Sequence, residues 1–188
     1  SNGEITLTIN KKQVEVKVEN TTFKYNANNQ NIIYSLTEDI DCVVNYFNND
    51  GNLVNNFKNA GEYSYSVLPL DEVNYEFINN SGKCTILKIT ANIQVNKIVY
   101  DYTGNALTLN YSVTDENGEE VIVNNLSITY FVNGEVANFI EPNNYSFSFD
   151  TIDRDNYILG GTLTGTVTIK KTKIFVFVSN TEYEYTGS

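Results

Sequence analysis

The chain has 188 residues, of which 41% are hydrophobic, and this proportion is sufficient for a packed core. The net charge of −11 disfavours nucleic acids and anionic membranes as partners, because both bind through patches of Lys and Arg. The sequence has no His and only two Cys, which excludes Ser-His-Asp and Cys-His catalytic groups and disfavours a zinc site.

Short runs in which apolar and polar residues alternate, typical of β-strands, fill the first part of the chain. Seven strands are predicted there, near residues 13–18, 31–36, 41–47, 53–57, 62–68, 75–78 and 83–89. Between the third and fourth, Asp50-Gly51 supplies the positive φ that a hairpin turn requires. Seven short strands are typical of an immunoglobulin-like β-sandwich.

A tyrosine-rich phrase occurs three times along the chain. Its central tyrosines, Tyr25, Tyr102 and Tyr185, are spaced 77 and 83 residues apart. The strands before each phrase align without gaps, and their apolar positions match. The matched sets are Val14, Val16 and Val18; Ala91, Ile93 and Val95; and Ile174, Val176 and Val178. Solenoid repeats have periods of roughly 20–50 residues, so this longer period indicates tandem domains.

Further landmarks keep the same register in the second repeat. Tyr63, in NAGEYSYSV, aligns with Tyr145, in EPNNYSFSF, and GKCTIL from Gly82 aligns with GTVTIK from Gly165. No segment shows helical spacing over three turns. We therefore predict an all-β protein with two tandem immunoglobulin-like β-sandwich domains end to end, at residues 10–89 and 90–172. The alternative is a pair of β-grasp-like modules, each with a helix packed on its sheet.

Both ends of the chain carry strand-like segments that belong to neither repeat. We expect residues 1–9 to be the closing strand of a preceding repeat, or the lead-in of a fragment, and residues 173–188 to be the opening strand of a third repeat. An isolated strand leaves its backbone groups and its apolar face without partners. We therefore expect 5–9 and 175–178 to add to a sheet edge, in their own chain or in a neighbouring molecule.

The repeat motifs identify a similar family. The phrase YTG after an alternating strand, the strand NAGEYSYSV, the following NY and the closing GxxTIxK resemble the bacterial surface repeats of the MBG and YDG kind. Asn26 replaces the expected Thr-Gly turn, and EPNN replaces NAGE in the second repeat. The resemblance implies an extracellular, cell-wall-associated protein on a bacterial surface, with no catalytic residues. The start SNG, without an initiator Met, favours a fragment whose export signal and anchor lie elsewhere.

One acidic loop of the second repeat is a candidate calcium site. Residues Asp150, Asp153, Asp155 and Asn156 place several oxygen ligands in one short stretch, and calcium prefers oxygen ligands. The alternative, which we favour, is a solvated loop between strands. The spacing matches no defined calcium loop, and Arg154 would repel a cation.

The two cysteines, Cys42 and Cys84, lie in the first repeat and align with the apolar residues Leu126 and Val167 of the second. We therefore expect both to face the core. Two alternatives remain open: a disulfide, which an exported protein would allow, and free buried thiols that act as small hydrophobic groups.

The repeated tyrosines also have two interpretations. Tyr25, Tyr63, Tyr102, Tyr145 and Tyr185 could stack on a carbohydrate if they were exposed. They alternate with polar neighbours at fixed repeat positions, which favours packing in the core or across strands.

We expect that this protein is not an enzyme, holds no cofactor and inserts no segment into a membrane. The observations above lead to two hypotheses for its function. The leading hypothesis is a structural spacer or stalk, because the strand ending near Ile89 continues into the strand at Ala91 with no Gly, Pro or Ser linker. The alternative is an adhesin module that binds a host glycan or protein. A large exposed apolar or aromatic patch would favour adhesion, and evenly polar faces would favour the spacer.

Overall fold

The computed structural model describes residues 5–179, 182 and 184–187, and this part of the chain is all-β with no helix. Its strands are β1 (Lys12–Asn20), β2 (Thr22–Lys24), β3 (Ile33–Leu36), β4 (Cys42–Phe47), β5 (Leu53–Val54), β6 (Gly61–Pro69), β7 (Tyr75–Ile78), β8 (Ser81–Leu87), β9 (Ile89–Lys97), β10 (Val99–Asp101), β11 (Asn110–Thr114), β12 (Leu126–Val132), β13 (Glu135–Ala137), β14 (Asn144–Thr151), β15 (Tyr157–Gly161) and β16 (Thr164–Lys170).

Each repeat contains a three-stranded and a five-stranded sheet. In the first repeat the orders are β3-β1-β7 and β2-β8-β6-β4-β5, and in the second they are β11-β9-β15 and β10-β16-β14-β12-β13. The two repeats therefore have the same strand order, strand for strand. This is the sandwich-like arrangement expected of immunoglobulin-like domains, and the described residues contain no helix of the kind that the β-grasp alternative requires.

The chain packs as two compact units, which are described separately. The first contains residues up to Ala91 together with Asp115–Asn117 and Ile152–Ile158, and the second contains Asn92–Thr114, Gly118–Thr151 and the residues from Leu159 onward.

Alternating strands fill the core of each repeat in the way that the pattern predicts. In the first repeat Val14 of β1, Val67 of β6 and Ile86 of β8 are fully buried. Ile93 of β9 and Ile169 of β16 are buried in the same way in the second. Burial of such side chains contributes roughly 1.5–3 kcal/mol each, so these strand faces are a main source of stability.

A cluster of four aromatic rings lies in each repeat at matching positions. In the first repeat Phe57 stacks on Tyr46, with ring centroids 4.4 Å apart, and contacts Phe23 and Tyr63 edge to face. In the second repeat Phe139 has the same contacts. It stacks on Tyr130 at 4.6 Å and meets Tyr100 and Tyr145 edge to face. The rings of the two clusters lie at aligned positions of the sequence. The two repeats therefore share their core packing as well as their strand order.

A glycine lies opposite an aromatic residue on the neighbouring strand in both repeats. Gly82 of β8 faces Tyr65 of β6, and Gly165 of β16 faces Phe147 of β14. A Cβ atom at Gly165 would lie 2.7 Å from the Cζ atom of Phe147, whose ring is buried. The ring therefore covers the glycine, and the absence of a side chain there creates the space for the ring.

Replacing Gly165 with alanine is expected to destabilise the second repeat by about 1–3 kcal/mol, because the buried Phe147 ring has no free space to move into. Alanine is ordinarily better than glycine in a strand, so a loss of stability would report the ring contact. Urea unfolding followed by circular dichroism measures the change, with Thr166→Ala at the next, exposed position as the control. A Gly165→Ala protein as stable as the parent would contradict this role of the glycine.

Among the described residues, neither 5–9 nor 174–178 pairs with a sheet of the chain. Residues 5–9 and 174–178 form no strand, and their large apolar side chains are exposed. The part of the expectation that placed them on a sheet edge within the chain is therefore wrong, while pairing with a neighbouring molecule remains a prediction. The remainder of the third tyrosine phrase lies partly outside the described residues, and of its tyrosines Tyr185 is described and is exposed.

Candidate functional site

Three of the four candidate calcium residues accept or donate hydrogen bonds within the protein. Asp150 is in β14, and its Oδ1 accepts the backbone N–H of Thr151 at 2.7 Å. Asp153 lies in the loop before β15, where its Oδ1 accepts the side-chain amide of Asn156 at 2.8 Å. Asp155 is exposed in the same loop. The contact between Asp153 and Asn156 makes the loop a hydrogen-bonded turn.

Asn156 is the buried member of this set, and its packing belongs to the first compact unit. Its Oδ1 accepts the backbone N–H of Ala60 at 2.7 Å, and its amide also donates to Oδ1 of Asn59 at 3.3 Å. The oxygen that would have bound calcium is therefore already an acceptor. Among the described residues no three or more His, Cys, Asp or Glu side chains are placed so that they could hold a metal ion.

The corresponding loop of the first repeat contains Asp71, whose carboxylate organises the turn. It accepts the backbone N–H groups of Val73 and Asn74 at 3.2 and 3.1 Å, and the side-chain amide of Asn74 at 2.8 Å. The hydrogen bonds from Asn74, with the one from Val73, lower the pKa of Asp71. This is an Asx-type turn, in which an Asp side chain replaces backbone pairing.

A cleft of about 570 Å³ lies beside this turn. It is lined by Asp39, Ile40, Asp41, Leu70, Asp71 and Tyr75. Its acidic lining would suit a cationic group, but the Asp71 carboxylate is already engaged by the turn. The cleft therefore has the charge of a binding site without any observed arrangement that selects a ligand.

The two cysteines are far apart in the same sheet. Cys84 is 2% exposed on β8, and Cys42 is half-buried on β4. Strand β6 lies between them, with Cys42 opposite Pro69 at one end and Cys84 opposite Tyr63 at the other. Two strand spacings alone amount to about 10 Å, and a disulfide requires Cα atoms closer than about 7 Å. Both thiols are free, and only Cys84 faces the core fully.

The two thiols have different surroundings. Burial raises the pKa of Cys84 to about 11. The Sγ atom of Cys42 lies 3.3 Å from the Tyr34 hydroxyl, and this hydrogen bond, together with burial, raises the pKa of Tyr34 to about 12. Because the thiolate is the reactive form, Cys84 is protected both by its pKa and by its burial.

Native protein at pH 8 is expected to react with a thiol reagent at Cys42 and to leave Cys84 unmodified until the protein unfolds. Mass spectrometry after alkylation, with and without guanidinium, measures this difference. The variants Cys42→Ser and Cys84→Ser assign each adduct to its residue. Equal labelling of both thiols in the native state would show that the packing around Cys84 is wrong.

The repeated tyrosines differ in exposure. Tyr25 and Tyr145 are buried, while Tyr63 and Tyr102 are half-buried. The core interpretation therefore holds for the two buried residues and holds in part for the half-buried pair. Tyr185 is 92% exposed, so that interpretation is wrong for it in this structure.

Two of these tyrosines make the same backbone contact. The hydroxyl of Tyr63 donates to the carbonyl oxygen of Asn59 at 2.9 Å, and that of Tyr145 donates to the carbonyl oxygen of Glu141 at 2.7 Å. In each case the acceptor lies four residues upstream, at the corner that leads into a strand. A tyrosine bonded back to its preceding corner is a hallmark of immunoglobulin-like sandwiches.

The sheet edges of both repeats are short. In the first repeat the edge strands are β2, β3, β5 and β7, which have two to four residues each. Short edges offer little template for pairing with another chain, which is a recognised protection against edge-to-edge association.

No helix among the described residues has the length and apolar character needed to cross a bilayer.

The comparisons with known proteins assign no family to this architecture. No protein-family model matches the chain, and no curated protein matches it.

Proposed function

We propose that this chain carries structural spacer repeats, or stalk repeats, of a bacterial cell-surface protein, in which they hold another part of the protein away from the cell wall. The most direct support for this proposal is the set of features that the two repeats share. The strand order, the aromatic cluster around Phe57 or Phe139 and the tyrosine corner occur in both. All of these are features of packing, and a spacer needs a stable fold in every repeat.

Most residues that could do chemistry are not shared in this way. Cys42 and Cys84 align with Leu126 and Val167, and Glu72 aligns with Arg154. The acidic residue that the two loops do share, Asp71 or Asp153, accepts a hydrogen bond from the Asn three residues later in each repeat, which is again a feature of the fold. A binding function common to both repeats would place the same side chains at matching surface positions. The pattern therefore favours a role that depends on the fold.

The aromatic side chains support a spacer over a glycan-binding module. From residue 10 to residue 173, all of which is described, every Phe and Tyr is at least half-buried. Sugars dock on exposed aromatic faces, and in this range the rings pack against other protein groups. The strongly exposed large apolar side chains in the same range are aliphatic and belong to many separate strands and loops.

The MBG and YDG resemblance supports the extracellular location, and the register of the repeats supports a longer array. The exposed segments 5–9 and 174–178 match strands at the repeat boundaries. A neighbouring repeat on each side would give them sheets in which their apolar faces are buried.

The test is a domain replacement in the full-length protein on the cells that make it. Residues 10–172 are replaced with two immunoglobulin-like domains of unrelated sequence, and a second strain lacks these residues. Antibody labelling of intact cells measures display of an epitope tag placed beyond the repeats. A spacer is expected to be replaceable, so the unrelated domains retain labelling that the deletion loses. Absence of the protein from the cell surface would contradict the proposed location.

The adhesin alternative gives a different result in the same strains. If residues 10–172 bind a host glycan or protein, the replacement strain retains the epitope signal but loses attachment to host material. A glycan array probed with the isolated 188-residue chain measures the same property directly. Specific binding that both repeats support would overturn the spacer proposal.

A further inference from the structure

Near its two ends, each repeat has a pair of strands that lie side by side and run in the same direction. In the first repeat β2 pairs with β8 in parallel, and in the second β10 pairs with β16 in parallel. The register places Thr22, Phe23 and Lys24 opposite Thr85, Ile86 and Leu87, and Val99, Tyr100 and Asp101 opposite Thr168, Ile169 and Lys170. The two ladders are therefore equivalent.

Backbone hydrogen bonds extend both ladders by one bond at each end. In the first repeat the N–H of Tyr25 donates to the Leu87 carbonyl at 2.9 Å, and the N–H of Thr85 donates to the Thr21 carbonyl at 2.8 Å. The equivalent bonds of the second repeat are Tyr102 to Lys170 at 3.0 Å and Thr168 to Ile98 at 2.9 Å.

The strand that enters the first repeat is held by a second parallel ladder. Strand β1 precedes β2 and pairs in parallel with β7, from Lys12 opposite Tyr75 to Glu15 opposite Ile78. On its other side β1 pairs with β3. The entering chain is thus fixed in both sheets of the sandwich before it reaches the body of the repeat.

Parallel pairing decides how a repeat responds to tension along the chain. Tension pulls β2 toward its amino end and β8 toward its carboxyl end, and in a parallel pair these are opposite directions along one axis. The hydrogen bonds lie across that axis, so all of them share the force and break together. An antiparallel pair of terminal strands would have both pulled ends on one side, and its bonds would break one at a time.

We propose that each repeat is a mechanical clamp, in which the parallel ladders β2–β8 and β10–β16 resist forced unfolding by shear. The inference rests on the proposed stalk function for its biological meaning, because a stalk on a cell surface transmits tension between the cell and whatever its outer end holds. The predicted resistance to forced unfolding depends only on strand direction within each repeat.

The first experiment pulls the intact chain by handles at its two ends in optical tweezers. We expect two separate unfolding events, one for each repeat. A control loads the second repeat through handles at the C-terminal end and at a cysteine that replaces the exposed Glu135, which pairs with Val132 at the carboxyl end of β12, in a chain that also carries Cys42→Ser. Strands β12 and β16 are each antiparallel to β14 and so run in one direction, which places both attachment points at the same end of the sheet. This geometry separates strands sequentially and is expected to need a clearly lower force.

The second experiment removes one bond of the clamp in the second repeat. Tyr102→Pro lacks the N–H that donates to Lys170, and Tyr102→Ala is the matched control, since it loses the same side chain but retains the N–H. At constant force the proline variant is expected to unfold about fivefold faster than the alanine variant, in one of the two events only.

The outcomes test the mechanical clamp and the proposed stalk function separately. Equal forces in the two pulling directions would overturn the clamp, and so would equal rates for the two Tyr102 variants. The direction comparison changes no residue of the β10–β16 ladder, so it stands even if the proline variant does not fold. A failed clamp leaves the domain-replacement result unchanged, whereas a chain absent from the cell surface would overturn the stalk and leave the mechanical result intact.

Discussion

Replacing Tyr145 with alanine is expected to lower the free energy of unfolding of the second repeat by about 3–5 kcal/mol. Tyr145 is 2% exposed, its ring meets Phe139 edge to face, and its hydroxyl donates to the Glu141 carbonyl at 2.7 Å. The substitution therefore removes a buried ring, an aromatic contact and the bond that closes the corner before β14. Calorimetry resolves the effect, because the first repeat provides an internal reference.

Two further variants separate these contributions. Tyr145→Phe retains the ring and loses the hydroxyl, so it is expected to cost about 1 kcal/mol, as for one hydrogen bond. Val136→Ala, at an exposed position of β13, serves as the surface control and is expected to have little effect. A melting temperature unchanged by Tyr145→Ala would contradict the core position and return Tyr145 to the ligand-stacking hypothesis.

The second large effect is expected at Phe139, the central ring of the same cluster. Its side chain is 3% exposed and contacts three other rings, stacking on Tyr130 and meeting Tyr100 and Tyr145 edge to face. Phe139→Ala is expected to cost about 3–5 kcal/mol, because the ring leaves a cavity that its neighbours cannot fill without losing their own geometry.

The double variant Phe139→Ala/Tyr145→Ala tests whether the cluster acts as one packing unit. Rings in contact share their stabilisation, so the double variant is expected to lose less than the sum of the two single losses, by about 0.5 kcal/mol or more. Chemical unfolding of the four proteins completes the cycle. Additive losses would show that the two rings stabilise the repeat independently.

The alternating pattern was sufficient to predict the longer strands, because a half-buried strand must place every second side chain in the core. The predicted 62–68 strand and the observed Gly61–Pro69 strand illustrate this. The short strands β2 and β10 were missed, since each has three residues and offers no period to detect. Eight strands therefore stand where seven were predicted in the first repeat.

Sheet order could not be predicted in the same way. Alignment with the apolar Leu126 and Val167 indicated that Cys42 and Cys84 face the core, and Cys84 does so fully. Whether they could bond depended on β6 lying between β4 and β8, which is a long-range fact about pairing. The parallel ladder between β2 and β8 could not be predicted from the sequence for the same reason, because it is also a long-range pairing.

The candidate calcium residues show a similar limit. Their spacing in the sequence correctly placed several oxygen atoms in and beside one loop. It carried no information about which atoms were already acceptors, such as Oδ1 of Asn156, which accepts a backbone N–H from Ala60, far away in the sequence. The residue types in a segment can suggest a metal site, but the hydrogen bonds that their oxygen atoms already accept decide whether those atoms are available to bind a metal ion.

The pairing of β2 with β8 also determines when a repeat can fold during synthesis. The partner of Phe23 is Ile86, so the five-stranded sheet cannot close until nearly the whole repeat has left the ribosome. Translation at roughly 5–20 residues per second leaves the early strands waiting for several seconds with their apolar faces unpaired. Folding dominated by such distant contacts is intrinsically slow. A long array of these repeats would thus mature one domain at a time, with its newest repeat always the segment most exposed to chaperones, proteases and aggregation.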